Sequence, residues 1–229
     1  MSDGRTLSCA DCTVGNCASL DREFPGFCLT TGLDGDAALG SANCYINNPE
    51  DRRMAVTAAG IEGDYYGLAT RAEEIMLFAV GMDYKKIGVA TCFGLLGECN
   101  IFSRAARAKG IDIYGVACKV GAVDKTAIGI PDERKIRPGS HESMCNPILQ
   151  AEILNREGTD FNVIIGLCVG HDTLFIKHSK APVTYLVVKD RVLCHNPAAA
   201  LYNANSYYKR LLSPNLPSPH AGKAQDPKA

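Results

Sequence analysis

Cysteine is the residue type in this chain best suited to chemistry, and its distribution has two parts. The sequence contains eleven cysteines in 229 residues. Four of them lie close together near the start, and most of the others follow apolar runs that resemble β-strands. Thiolates bind metals and take part in redox reactions. Because the first residues show no secretion signal, we expect metal or redox chemistry rather than a disulfide scaffold.

The N-terminal cluster has the spacing of a metal site. It consists of Cys9, Cys12, Cys17 and Cys28. The Cys-x2-Cys pair can chelate one metal because two intervening residues let both sulfurs face inward, and four thiolates suit zinc as well as an iron–sulfur cluster. The spacing does not distinguish between these metals, and Cys44 could replace one of the four. Unrelated free cysteines are the alternative to a metal site.

A second group of cysteines is predicted to share one edge of a sheet. Cys92, Cys118 and Cys168 each follow a predicted strand, and Cys145 directly precedes a predicted helix. These positions meet at one edge of a parallel sheet, and a helix start favours the thiolate form. We expect Cys118, Cys145 and Cys168 to hold an iron–sulfur cluster or another thiophilic metal, with Cys92 as a fourth member. The alternative is that they are core residues, as we expect for Cys99.

Polar residues beside the second group supply groups that could act on a bound ligand. Lys119 would lower the pKa of the neighbouring thiol, and His171 could ligate the metal or move a proton. Lys189 and Arg191 follow the fourth predicted strand and could bind an anion, with a solvated turn as the alternative. The turn at 166–170 is expected to point backbone N–H groups at the same ligand. We therefore predict an open site with Lys119 and His171 as its catalytic groups.

The elements that position these residues alternate along the chain. The predicted strands cover 86–91, 111–117, 162–167 and 183–188. The predicted helices cover 65–82, 94–109, 146–156, 172–178 and 197–211. Uniformly apolar strands between helices predict an α/β fold, with a mainly parallel sheet covered by helices on both faces.

Composition divides the chain into three parts. Residues 1–50 are rich in Cys, Gly, Asp and Asn and are predicted to form a loop-rich segment that bound metal orders. Residues 51–212 are predicted to form the α/β domain. Residues 213–229 contain four prolines and are predicted to be a disordered tail.

Bulk properties restrict the class of partner. Hydrophobic residues make up 46% of the chain, and the formal net charge is −1 without a basic block. Nucleic acids and anionic membranes are therefore not expected partners, and no apolar stretch approaches the ~18 residues of a membrane span. Neither a dinucleotide fingerprint nor a P-loop is present. We expect a cytoplasmic protein whose partner is a small-molecule ligand or a redox partner.

Several motifs resemble those of a known family. They are Cys-Lys-x-Gly at 118–121, Met-Cys-Asn-Pro at 144–147, Gly-Leu-Cys-x-Gly-His-Asp at 166–172, Lys-Asp-Arg at 189–191 and His-Asn-Pro at 195–197, followed by Ala-Leu-Tyr at 200–202. With the N-terminal cysteines, they resemble an uncharacterised prokaryotic family of metal-binding proteins known only as a domain of unknown function. The resemblance implies metal binding in anaerobic bacteria and archaea, without an assigned reaction. A looser similarity connects the site to desulfidases that hold a [4Fe-4S] cluster by three cysteines.

Together these observations predict a cytoplasmic iron–sulfur protein with two sites. One site is formed by the N-terminal cysteines. The other lies at the sheet edge and binds or transforms a small sulfur-containing or anionic ligand, which would make the protein a redox or sulfur-transfer enzyme. The alternative is a zinc-stabilised binding or electron-carrier protein without catalysis.

Overall fold

The computed structural model describes residues 5–216 and divides the chain into two compact units. One unit extends to Asp64 and the other begins at Tyr65, so the division falls after the boundary predicted at residue 50. The predicted tail, 213–229, lies outside the described residues from residue 217 onward.

The N-terminal unit contains helices where a loop-rich segment was predicted. Helix α1 spans Leu29–Gly32, α2 spans Gly35–Asn47 and α3 spans Pro49–Tyr65. Asp34 caps α2, and the Asn48 side chain accepts hydrogen bonds from the first backbone N–H groups of α3, where Pro49 occupies the first position. Among residues 5–64, Asn16 is the only buried residue. These helices were missed because they carry capping signals without a buried apolar face.

The second unit contains a four-stranded parallel sheet, which confirms the predicted α/β fold. The strands are β1, Lys86–Thr91; β2, Asp112–Ala117; β3, Phe161–Ile165; and β4, Val183–Val187. Their order in the sheet is β2-β1-β3-β4, and every neighbouring pair is parallel. The carboxyl ends of all four strands therefore lie at one edge of the sheet.

Helices pack on both faces of this sheet. They are α4, Arg71–Gly81; α5, Leu96–Arg107; α6, Pro147–Arg156; and α7, His171–His178. A further helix, α8, spans Ala198–Tyr202 and has no buried residue. Side chains of β1 alternate between the two faces of the sheet. Ile87 and Val89 pack with α4 and α5, whereas Ala90 packs with α6 and α7. Within residues 5–216, no helix has both the length and the apolar character that crossing a membrane requires.

The helix predicted over 65–82 is shorter than its apolar pattern suggested. Gly67 adopts a φ of +69°, which interrupts the helical backbone. The helix then restarts with a capping box, in which the backbone N–H of Thr70 donates to the Glu73 carboxylate at 2.8 Å. Helix α4 consequently begins at Arg71 rather than at Tyr65.

The helix predicted over 197–211 is also interrupted. Helix α8 ends at Tyr202, and the backbone carbonyl of the next residue, Asn203, accepts hydrogen bonds from the N–H groups of Ser206 and Tyr208, each at 3.0 Å. A short 3-10 turn at Lys209–Leu212 follows. Asparagine and serine favour such turns because their side chains compete for backbone hydrogen bonds.

Gly88 occupies a position in β1 where a side chain cannot fit. A Cβ atom there would lie 2.0 Å from Oδ1 of Asn162 and 2.9 Å from Cδ1 of Leu154. The buried Asn162 is itself fixed, because Oδ1 accepts a hydrogen bond from Thr159 Oγ1 and Nδ2 donates to Ser179 Oγ, both at 2.8 Å. The central strand therefore requires glycine at this position.

We expect Gly88→Ala to lower the free energy of unfolding by about 2 kcal/mol or more, because the added methyl group must displace a buried, hydrogen-bonded amide. Gly97→Ala is the matched control, since a Cβ at Gly97 in α5 would meet nothing within 4 Å. Alanine also favours a helix over glycine. Urea unfolding of both variants tests the prediction, and equal midpoints for them would contradict it.

Candidate thiol site

The register of β1 and β2 places two thiols side by side at the sheet edge. Thr91 pairs with Ala117, and the next residues are Cys92 and Cys118. The backbone N–H of Cys118 donates to the Thr91 carbonyl at 2.8 Å, which continues the parallel ladder by one residue. From α6, the buried Gln150 Nε2 donates to the same carbonyl at 3.2 Å. The positions of both cysteines are thus fixed by backbone pairing.

A third thiol reaches this edge from the loop before α6. The backbone N–H of Asn146 donates to the Cys118 carbonyl at 2.7 Å, and Cys145 Sγ lies 3.7 Å from Cys118 Sγ. The Asn146 side chain accepts a hydrogen bond from the Leu149 N–H at 3.1 Å and so caps α6. Cys118 is only 2% exposed, whereas Cys92 and Cys145 are partly exposed. Cys92, Cys118 and Cys145 thus form one thiol cluster.

The loop that carries Cys145 is held in place by a buried ammonium group. The Lys135 side chain is 5% exposed and forms ion pairs with Asp124 and Asp132, each at 2.9 Å. Asp124 also accepts a hydrogen bond from the backbone N–H of Glu142 at 2.8 Å, three residues before the cysteine. The position of Cys145 therefore depends on electrostatic contacts within the loop.

Hydrogen bonding inside the thiol cluster separates the pKa values of its members. The bond to Cys118 lowers the pKa of Cys145 to about 4 and that of Cys92 to about 5. The pKa of Cys118 is raised, first by its bond to Cys145, then by its bond to Cys92 and by burial. These shifts favour the thiolate form of Cys92 and Cys145 and the protonated form of Cys118.

Cationic side chains surround the two thiolates. His171, at the start of α7, is the second cause of the lowered pKa of Cys145, and this interaction in turn raises the pKa of His171. The charge of Lys119 acts on Cys145 in the same direction, and Lys189 acts likewise on Cys92. Nδ1 of His171 is buried and has no hydrogen-bond partner within residues 5–216. That nitrogen is available to a bound ligand.

Cys168 lies beyond the end of β3 and has a different partner. Its Sγ accepts a hydrogen bond from the Arg191 guanidinium at 2.9 Å. Gly166 permits the turn after β3 because it adopts a φ of +63°, and a Cβ there would lie 2.0 Å from Leu95 Cδ1. Cys118, Cys145 and Cys168 were predicted to meet. Of these, Cys118 and Cys145 have their sulfurs close together. Cys168 is joined to the predicted anion-binding arginine.

A backbone N–H group outside the predicted turn contacts the thiol cluster. Phe93 donates its N–H to Cys118 Sγ at 3.2 Å. The predicted approach of N–H groups from the turn at 166–170 stays a prediction. In that turn the Gly166 N–H donates to the Val187 carbonyl at 2.8 Å, and the N–H groups of His171 and Asp172, which follow the turn, donate to the Cys168 carbonyl at 2.9 and 3.1 Å. The contact from Phe93 has no sequence signal, because every residue except proline has a backbone N–H.

The remaining cysteines lie in separate local structures. Cys28 precedes α1, and although desolvation raises its pKa, hydrogen bonds from Thr30 and Thr31 lower it overall. Cys44 is exposed on α2, and Cys99 is buried in α5 as predicted. The four predicted N-terminal ligands are Cys9, Cys12, Cys17 and Cys28. Among residues 5–216, no three His, Cys, Asp or Glu side chains are gathered around a position for one metal ion. Metal binding at either predicted site would therefore require side-chain adjustment.

We expect Cys145 in metal-free protein to react with iodoacetamide at a rate that changes little between about pH 6 and 9, because a thiol of lowered pKa is already ionised there. His171→Ala should raise the Cys145 pKa and slow the reaction several-fold at about pH 6, with little change at about pH 9. Peptide mass spectrometry of the alkylated cysteine measures both rates. His178→Ala, at the exposed far end of α7, is the control. Equal effects of the two substitutions would contradict the prediction.

Two comparisons with known proteins bear on this site. A family model described as "Protein of unknown function (DUF1847)" matches residues 28–186, a range that includes the thiol cluster and Cys168. It begins at Cys28 and so leaves out the first three N-terminal cysteines. An uncharacterized protein of Methanocaldococcus jannaschii, MJ0455, is 50% identical over 163 residues, which cover 71% of this chain and 82% of the relative. With more than half of its length matched, the chain belongs to the DUF1847 family of proteins of unknown function.

Proposed function

We propose that this chain is a metal-binding protein whose thiol cluster holds a thiophilic metal. The supporting observation is the 3.7 Å between the sulfurs of Cys118 and Cys145, with Cys92 as the other neighbour of Cys118. Two thiolates on one tetrahedral metal, with bonds of about 2.3 Å, have sulfurs about 3.8 Å apart. A divalent metal in place of the Cys118 proton would contact three thiolates and offset two of their three negative charges. Metal binding would accordingly release that proton.

An iron–sulfur cluster is the first candidate for the bound group. Its support is the number of thiols at the sheet edge, because three cysteines can hold such a cluster and leave one iron position for a ligand. The cationic groups nearby favour an anionic or sulfur-containing ligand, with Lys119 and Lys189 attracting its charge. His171, whose buried Nδ1 has no partner within residues 5–216, would donate a proton to it. A redox or sulfur-transfer reaction would follow from this arrangement.

Zinc is the second candidate, and the sulfur–sulfur distance favours it. In a cubane [4Fe-4S] cluster each cysteine thiolate binds a different iron. The cysteine sulfurs around a cluster therefore lie farther apart than two cysteine sulfurs on a single metal ion. The 3.7 Å between Cys118 and Cys145 matches two ligands of a single ion. In this form the protein would be a zinc-stabilised binding protein without catalysis, since zinc has no redox chemistry.

The N-terminal cysteines are proposed as a second metal site that orders its own unit. Support comes from the exposure of this unit, because only Asn16 is buried among residues 5–64. A segment without an apolar core gains stability when metal joins distant cysteines. All eleven cysteines are unpaired, which supports the proposal of a reducing, cytoplasmic environment.

We expect protein purified without oxygen to contain metal that Cys118→Ala removes from the sheet-edge site. Iron, zinc and acid-labile sulfide analysis, with absorption near ~400 nm as the mark of iron–sulfur clusters, identifies the metal. Cys99→Ala is the matched control, because Cys99 is buried in α5 outside the thiol cluster. Equal metal content in the two variants would contradict the proposal. Zinc without sulfide would favour the second candidate.

The N-terminal site is tested by changing Cys9 and Cys12 to serine together. We expect this variant to lose one metal site and to become sensitive to protease within residues 1–50, while the α/β unit stays folded. Limited proteolysis with mass spectrometry locates the cleavages, and metal analysis counts the sites. Cys44→Ser, on exposed α2, is the control. Full metal content and protease resistance in the double variant would show that these cysteines do not bind metal.

A further inference from the structure

We propose that the metal-free thiol cluster also exchanges with low-molecular-weight disulfides. Cys145 would attack the disulfide, and Cys118 would then complete a protein disulfide with Cys145. The inference concerns the same residues as the proposed function, but it applies to the state in which no metal occupies them. It adds an activity and a substrate class to the site.

The first argument is that the two cysteines are positioned to bond. Their sulfurs are 3.7 Å apart, so a disulfide bond of about 2.05 Å requires an approach of only about 1.6 Å. The backbone hydrogen bond from the Asn146 N–H to the Cys118 carbonyl, at 2.7 Å, joins the peptide units that directly follow both cysteines. It therefore holds the two backbones close together. Disulfides form where cysteine backbones are already near one another.

The second argument is that exposure assigns the two roles. Cys145 is partly exposed and lies on a loop, so a small disulfide can reach it from solvent. Cys118 is 2% exposed and can reach only a sulfur that is already bound inside the site. The Phe93 N–H, 3.2 Å from Cys118 Sγ, stabilises negative charge on that sulfur as it attacks. The outer thiol is therefore the attacking group and the inner thiol the resolving group.

The exchange balances in two steps. In the first step the Cys145 thiolate attacks one sulfur of RSSR, the RS–SR bond breaks, a mixed disulfide forms, and RS⁻ leaves and takes a proton from water. In the second step the Cys118 sulfur attacks Cys145 Sγ, and the second RS⁻ leaves with the proton of Cys118. The two cysteines lose two electrons, and RSSR is reduced to two RSH.

The disulfide and the bound metal exclude each other. Both states use the sulfurs of Cys118 and Cys145, and a disulfide leaves neither as a thiolate. Metal would therefore protect the protein from oxidation, and oxidation would release the metal. The site would respond to the balance between small thiols and small disulfides around it.

Oxidised glutathione added to the full chain after removal of metal tests this inference. We expect intact mass spectrometry to show the loss of two hydrogen atoms and peptide mapping to identify a Cys118–Cys145 link. Cys118→Ala should stop at a glutathione adduct on Cys145, because the resolving thiol is missing. Cys145→Ser, a change at a partly exposed position, should form neither product, and Cys99→Ala should behave as the unchanged chain.

The opposite outcomes are distinct. A stable adduct on Cys145 of the unchanged chain, or a link between Cys92 and Cys118, would overturn the assignment. The metal-loaded protein should form the Cys118–Cys145 link about tenfold more slowly or slower still. If the protein forms the Cys118–Cys145 disulfide but binds no metal, the proposed function is refuted and this inference stands. Metal binding without the link in metal-free protein would refute only this inference.

Discussion

Parallel pairing of β1 with β2 is the constraint on which the candidate site depends. The register ends with Thr91 beside Ala117, so the next residue of each strand must lie beside the other at the sheet edge. Gln150 ties α6 to the same place through the Thr91 carbonyl, and it also donates to the Val116 carbonyl at 2.6 Å. The helix that follows Cys145 is thus anchored to the strands that precede Cys92 and Cys118. A shift of register by one residue would send one of the two cysteines to the opposite face.

The electrostatics of the edge follow from this crowding. Three thiols that meet cannot all ionise, because each negative charge raises the cost of the next. The hydrogen bonds to Cys145 and Cys92, and after them burial, raise the pKa of Cys118, while lysine and histidine side chains help to lower the pKa of Cys92 and Cys145. Metal binding and disulfide formation are two ways of relieving the same concentration of charge. The two proposals therefore share one physical cause.

The fold and the edge location of the cysteines could be predicted from the sequence, whereas the pairing of the thiols could not. Uniformly apolar runs of five or six residues indicate buried parallel strands, and β1 was predicted with its exact bounds. Cysteines that directly follow such runs must lie at the carboxyl edge. The strand order, β2-β1-β3-β4, is a long-range property that local patterns do not encode. This order makes Cys92 the neighbour of Cys118. Cys168 instead follows β3, which does not pair with β2.

Other misses have separate physical causes. Helices α2 and α3 lack buried apolar faces, so apolar periodicity, which predicted the helices of the α/β unit, could not detect them. The Phe93 N–H is a backbone group and carries no residue signature. The hydrogen bond from Arg191 to Cys168 joins a residue that follows β4 to a residue that follows β3. It forms only because the turn after β4 brings these two residues together. For Phe93 and Arg191 the determining contact is tertiary rather than local.

The ion pairs of the buried Lys135 ammonium hold the loop before Cys145, and this loop can change its position more easily than the strands can. Cys92 and Cys118 extend a hydrogen-bonded sheet, whose geometry is fixed by the packing of both faces. Cys145 instead follows a loop held by ion pairs, and ion pairs tolerate changes in distance and angle better than close packing does. Insertions or substitutions in that loop could therefore widen or narrow the gap between the sulfurs without disturbing the core. On one scaffold, the size of the bound group would then be set by a loop rather than by the sheet.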